Sequence, residues 1–317
     1  MATQLHPYAS RSYGNTRLTM EPPPQYPGAL IMLTNRCNLK CTYCSAYQDG
    51  NPTDIRKDWD EEALLVELER LRDRHGFYFM LWMGGEPMLR WKTVAKGVGL
   101  FRKNVITTNG TLALRPFPAN VQYVVSLDGP EEINDQYRGK GIFQKVMARI
   151  AALPEDFPNT VQVQCVVHKG NEEHLSRFVA GLQKTKVDGV TFTFLSPSLH
   201  DHSASVWKDL GEREKAIDIV LSLKSEYPGF VWNSVRAMEL MRSTTAKLVT
   251  DNCPLLKNVM PLFIEKDHFV TPFCCMGDVA DCDRCGQWGV FAQAAKMLGP
   301  WDALLPPSKP YEEFSLL

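Results

Sequence analysis

The 317-residue sequence has no run of about 18 apolar residues, the length that marks a membrane-crossing helix. Nor does it open on the apolar core of a secretory signal: Met1 to Tyr26 is polar and proline-containing. It has no excess of either charge, with 35 Lys and Arg against 36 Asp and Glu and a formal net charge of −1. No global basic field therefore draws it to nucleic acid, and neither nucleic acid nor membrane is an expected partner. Low-complexity windows are absent, and Gly and Pro, at 21 each, are unexceptional. Together these absences predict a soluble cytoplasmic protein with enough chain for one large α/β core.

What the sequence does hold is cysteine, nine residues gathered mostly toward its two ends. Without a secretory signal, such thiols point to metal ligation or catalysis ahead of disulfides. Cys37, Cys41 and Cys44 stand at C-x3-C-x2-C directly after an apolar run. A 4Fe–4S cluster takes four cysteines, so three in one tight loop leave an iron open for chemistry, much as a catalytic zinc keeps one position free. A zinc knuckle would show paired C-x2-C spacing instead.

The chain alternates between buried-strand and amphipathic-helix patterns. Ala29 to Leu33 is a short apolar run, and Trp59 to His75 places Leu64, Leu65, Leu68 and Leu71 at helical spacing before a stop at Gly76. Further strands are expected at Phe77 to Met83, Val105 to Thr108, Val121 to Leu127, Val161 to His168 and Val190 to Leu195, with helices at Phe143 to Leu153 and Glu172 to Lys184. Six such units predict an α/β fold, a partial (β/α)6 TIM-like barrel, whose working residues sit at the C-terminal ends of the strands. Residues 1–28 read as an extended lead-in, 29–200 as the barrel, and 201–317 as a helical and Cys-rich appendage capping its mouth. That last part is expected to hold helices near Arg213 to Ser225 and Ser234 to Val249, and a hairpin over Leu262 to Phe273 turning at Lys266-Asp267.

The cysteine loop, with Tyr43 just before its third cysteine, resembles the cluster-binding signature of the radical S-adenosylmethionine (SAM) enzymes. Gly84-Gly85-Glu86-Pro87, 40 positions beyond Cys44, matches the motif that in this family follows the second strand and receives the SAM amino group. Thr107-Thr108-Asn109-Gly110 resembles the family's next turn. Ser126 and Asp128 match positions near the SAM ribose and carboxylate. Asp135-Gln136-Tyr137-Arg138-Gly139-Lys140-Gly141-Ile142-Phe143 resembles the D-x-x-R-G-x-G-x-F run of a subgroup that modifies sulfatases and peptides, and Arg138 suits a bidentate pair with a carboxylate. Leu195 lies where the family packs the adenine. The resemblance thus implies cofactor contacts from Tyr43, Gly84, Gly85, Glu86, Pro87, Thr108, Asn109, Ser126, Asp128, Arg138 and Leu195, with Cys37, Cys41 and Cys44 on the cluster. Gln164 and His168, around the end of the fifth strand, are further pocket candidates, whereas Cys165 belongs to the core.

Cys253, Cys274, Cys275, Cys282 and Cys285 fall within 33 residues. Four would complete a second, auxiliary 4Fe–4S cluster like those of the short appendages in this superfamily, or a structural zinc. Cys253, Cys274, Cys282 and Cys285 are the expected ligands. Cys275, or Cys253 in an alternative assignment, is then a thiol that returns a hydrogen atom to a substrate radical.

The resemblance implies a radical SAM enzyme. A flavodoxin or ferredoxin would deliver one electron through the cluster to SAM, releasing a 5′-deoxyadenosyl radical that removes a substrate hydrogen atom. An epimerase or dehydrogenase of a small polar, sugar- or aminocyclitol-like natural product is expected ahead of a peptide, because residues 1–28 are too few for a leader-binding domain. Polar residues at His200 to Ser203, Asn233 and Arg236 are candidates for holding hydroxyls. The alternatives are a peptide or protein maturase, which the Arg138 run favours, and an iron–sulfur electron carrier, which would give Gly85, Glu86 and Arg138 no reason to coexist.

Overall fold

The structure, a computed structural model, describes residues 26–47, 58–297, 299 and 300. Most of the expected lead-in lies outside the described residues. Eight strands form one sheet: β1 (Gly28–Met32), β2 (Phe79–Met83), β3 (Lys103–Thr108), β4 (Val121–Ser126), β5 (Val161–Val167), β6 (Gly189–Phe194), β7 (Val259–Glu265) and β8 (His268–Val270). The helices are α1 (Glu61–His75), α2 (Trp91–Gly97), α3 (Glu131–Arg138), α4 (Ile142–Ala151), α5 (Leu175–Leu182), α6 (Glu214–Glu226), α7 (Val235–Leu240), α8 (Ala246–Asp251), α9 (Leu255–Asn258) and α10 (Trp288–Ala295). All six expected barrel strands are present, with ends shifted by two residues or fewer.

The strand order is β6-β5-β4-β3-β2-β1-β7-β8, every neighbour parallel except the antiparallel β7 and β8. Among the described residues the two edge strands do not pair, so the barrel is open. The C-terminal hairpin is present where expected, with Lys266 at φ 57° in its turn. It extends the barrel sheet past β1, because the apolar residues of β7 pair in register with a strand that is buried along its whole length. The cysteine-rich segment then bridges the open side: the Phe194 N–H donates to the Gly286 carbonyl at 2.8 Å, and the Leu199 N–H to the Val279 carbonyl at 2.8 Å.

Local chemistry sets the elements. The Asp60 carboxylate accepts from the Ala63 N–H at 3.0 Å and caps α1, and Gly76 ends the helix at φ 78°. Between α7 and α8, where one helix is expected, the chain breaks. The Thr245 hydroxyl contacts the Glu239 and Leu240 carbonyls at 3.0 and 3.1 Å, offering the last turn of α7 an alternative to helix continuation.

Strand alternation sorts side chains between two sides. On β4, Tyr123 and Val125 enter the main core beneath the helices, while Gln122, Val124 and Ser126 face an interior cavity. No described helix is long and apolar enough to cross a membrane.

Candidate active site

The cavity has a volume of about 1560 Å³ and runs through the barrel. Cys37, Cys41, Tyr43 and Cys44 line one end. Their loop is held by its neighbours at the strand ends. The Gly85 N–H donates to the Thr34 carbonyl at 2.7 Å, and the Glu86 N–H to the Arg36 carbonyl at 2.9 Å. A Cβ on Gly84 would lie 2.6 Å from the Thr34 oxygen, and one on Gly85 2.2 Å from the Arg36 oxygen. These glycines therefore let two backbones touch; both also line the cavity.

Glu86 departs from its expected place. It is fully buried and absent from the cavity wall, its carboxylate accepting from the Met88 N–H (2.9 Å), the Thr108 hydroxyl (2.8 Å) and the Asn109 N–H (2.8 Å). It ties the turn after β2 to the turn after β3, and burial pushes its carboxyl pKa up. Pro87 and Thr108 are buried with it, off the wall. Asn109 does face the cavity, and its amide donates to the Asn38 side chain at 2.9 Å, linking the third strand end back to the cysteine loop.

Asp128 is the second departure. Instead of facing the cavity, its buried carboxylate accepts from the Tyr43 hydroxyl, the Arg138 Nε and, at 3.0 Å, the Val166 N–H. Desolvation disfavours the Arg138 charge, but Asp128 and Tyr43 hold its pKa above the usual value. With Nε committed, the terminal guanidinium nitrogens of Arg138 have no hydrogen-bond partner among the described residues, and the side chain lines the cavity beside the thiols. Ser126 and Leu195 also line it. His168 lies in the core, its ring centroid 4.2 Å from that of Tyr137, and burial pushes its pKa down to about 4. Asn233 is likewise structural, clamping the Phe192 N–H and carbonyl at 2.8 and 2.9 Å.

At the other thiol group, Cys253, Cys274, Cys282 and Cys285 each stand within electrostatic reach of the other three. They line a small pocket of about 30 Å³. Cys275 touches Cys274 but turns to the large cavity, packing near Leu30, Met32 and Phe263. Cys274 and Cys275 thus stand at the wall between the two spaces. Among the described residues no three potential ligands are already drawn into a closed metal centre; the thiols surround shared space. Burial raises the pKa of Cys37, Cys44 and Cys285, and moves Cys41 to about 11 and Cys253 to about 12. Thiols so desolvated are neutral near pH 7 until a cation takes the proton's place, which suits sulfur ligands of iron.

Sequence reasoning missed the division of the cavity wall. Phe79, Leu81 and Met83 on β2 make one side apolar, while Gln122, Gln162 and Thr191 on β4 to β6 make the other polar. Period-two alternation within each strand carried that signal.

A partly open parallel α/β barrel, with a three-cysteine loop at its strand ends and a second thiol group across its open side, defines a class of fold and site. Residues 31–182, just under half of the chain, match the family model of the Radical SAM superfamily. The chain is 29% identical over 205 residues to the Fe-coproporphyrin III synthase of Methanosarcina barkeri, covering 60% of this chain and 49% of that one. It is 30% identical over 189 residues to the mycofactocin maturase of Mycolicibacterium smegmatis, covering 56% and 46%. The chain thus spans about half the length of these two relatives. The solved structure of native anSMEcpe with bound AdoMet superposes with a TM-score of 0.62 at 18% identity, over 83% of this chain and 80% of that one, a likeness of fold. The cofactors of the family are a 4Fe–4S cluster and SAM, and the donors found here fit them: three thiols on one cavity, beside an arginine fork.

Proposed function

We propose that the chain is a radical SAM enzyme acting on a peptide or a substrate of comparable size. The observation that carries this reading is one cavity shared by Cys37, Cys41, Cys44, the Gly84-Gly85 turn, Arg138 and Cys275. When bound, the cluster and SAM supply a 5′-deoxyadenosyl radical, given one electron from an external reductant such as a flavodoxin or ferredoxin. Cys37, Cys41 and Cys44 would hold the cluster and Arg138 would receive the SAM carboxylate, with Asp128 fixing Arg138 and Tyr43 in place. Ser126 would lie near the ribose and Leu195 near the adenine. Cys253, Cys274, Cys282 and Cys285 would hold the auxiliary cluster.

The cavity, at about 1560 Å³, has room for a substrate beside the cluster and SAM that it would also hold, and the D-x-x-R-G-x-G-x-F run from Asp135 to Phe143 favours a peptide. One relative is named as a maturase, and neither relative reported above is named for a sugar, so the sugar-like substrate expected from sequence has less support than the peptide alternative. For the outcome of the reaction, Cys275 on the cavity wall favours epimerisation over dehydrogenation. Its thiol gives a hydrogen atom to the substrate radical, and the resulting thiyl is restored by one electron from the reductant and one proton.

Anaerobic reconstitution with iron, sulfide, dithionite and SAM tests the enzyme reading. Wild type should form 5′-deoxyadenosine and Cys41→Ala should not; no product from wild type, with candidate peptides supplied, removes the proposal. In D2O, Cys275→Ala should abolish deuterium uptake into the product, and unchanged uptake would refute the thiol's role.

A further inference from the structure

We propose that Arg213 and Ser196 set the reduction potential of the auxiliary cluster, Arg213 as a buried counter-charge behind Cys285 and Ser196 as a hydrogen-bond donor to the Cys285 sulfur. The proposal rests on the reading of Cys253, Cys274, Cys282 and Cys285 as cluster ligands. Arg213 closes the short turn before α6 and is 2% exposed. Its terminal nitrogens donate to the Cys285 carbonyl at 2.8 Å and the Met241 carbonyl at 2.6 Å, and its buried Nε has no hydrogen-bond partner among the described residues. The adjacent Glu214 is engaged elsewhere: its carboxylate accepts from Arg242 at 2.8 Å and from the Ser243 N–H at 2.6 Å. Two other cations of this region carry carboxylates, Arg284 pairing with Asp281 and Lys247 with Asp283, each at 2.7 Å. Arg213 thus stands as a charge sealed in the fold with two carbonyls and no carboxylate bonded to it.

A cation buried in that way is costly until an anion offsets it. Neutral thiols supply none, whereas four thiolates on iron supply four negative charges. Cys285 is the thiol within electrostatic reach of the guanidinium. Arg213 does not line the small pocket that the four cysteines share, so it acts from behind Cys285. Ser196, just past β6, lines both that pocket and the large cavity. Its oxygen accepts the Gly286 N–H at 2.8 Å, and its hydroxyl donates to Cys285 Sγ at 3.8 Å. Net charge and hydrogen bonds to the sulfurs tune cluster potentials. Both groups favour the extra negative charge that one electron brings, so both raise the potential.

Potentiometric titration of the reconstituted full chain with dithionite, read by electron paramagnetic resonance, tests this role. The auxiliary signal is the one that persists in Cys41→Ala. Arg213→Gln, which keeps an amide donor without the charge, should weaken reduction of that cluster roughly tenfold or more, a midpoint lower by about 59 mV for one electron. Arg213→Lys keeps the charge and should recover most of that shift. Ser196→Ala should move the midpoint the same way by less, and it carries the test if Arg213→Gln does not load iron. Iron should stay at about eight per chain in each variant. An auxiliary midpoint unchanged at full iron content removes the role of the residue replaced, and equal shifts in Arg213→Gln and Arg213→Lys would make Arg213 a packing group only. Wild type that binds about four irons and gives no second signal overturns the cluster reading itself and the proposal with it, so the two failures are told apart.

Discussion

Asp128 shows how one buried carboxylate organises the site from behind. It joins the Tyr43 hydroxyl, the Arg138 guanidinium and the β5 backbone without reaching the cavity. Removing one partner of a buried pair leaves an uncompensated charge, so Asp128→Ala should destabilise the fold by about 3–5 kcal/mol. Asp128→Ala with Arg138→Met should recover part of that loss, as thermal melts of both variants would register. His168 gives a pH test. Its folded-state pKa of about 4 lies below its ordinary 6.5, so the unfolded chain takes up the proton first as pH falls. Its contribution is then complete above about pH 6.5 and is lost toward pH 4, at most about 3.5 kcal/mol at roughly 1.4 kcal/mol per unit. The melting temperature of wild type should fall more between about pH 7.5 and 5 than that of His168→Gln; parallel curves would refute the assignment. The family resemblance marked Asp128, beside Ser126, for the cofactor. Asp128 stands beyond the last residue of β4, and its side chain turns toward β5 and α3.

At the scale of elements, the turns after β1, β2 and β3 form one unit, joined through Gly85, Glu86 and Asn109. Each turn was legible as a motif, since glycine, asparagine and proline punctuate strand ends. That the glycines serve the cysteine loop was not, because a sequence carries no record of which backbone approaches another. Gly85→Ala should push the Arg36 carbonyl away and lower iron bound per chain, measured by iron analysis after reconstitution, with far-UV circular dichroism unchanged. Unaltered iron content would show that the loop tolerates the displacement. The α1 cap offers a milder control: Asp60→Ala should cost about 1 kcal/mol in stability and leave iron content alone.

Over the whole molecule, the cysteine-rich segment lies across the open side of the barrel and brings its thiols beside the cavity that begins at Cys37. Cys282→Ala should reduce iron from about eight to about four per chain, whereas Cys275→Ala should leave it unchanged; loss of iron in both would put Cys275 among the ligands. The sequence alone determined the alternating α/β order, the three-cysteine loop and the clustering of five cysteines between Cys253 and Cys285. These follow from local periodicity and short spacings, which the chain carries wherever it folds. Only the tertiary structure decided that Glu86 and Asp128 brace the site from behind and that β7 joins the barrel sheet at β1. Those outcomes depend on packing between separate segments, 23 residues apart for Glu86 and Asn109, 85 for Tyr43 and Asp128 and more than two hundred for β1 and β7, where burial and backbone pairing, set by the whole fold, choose the direction each side chain takes.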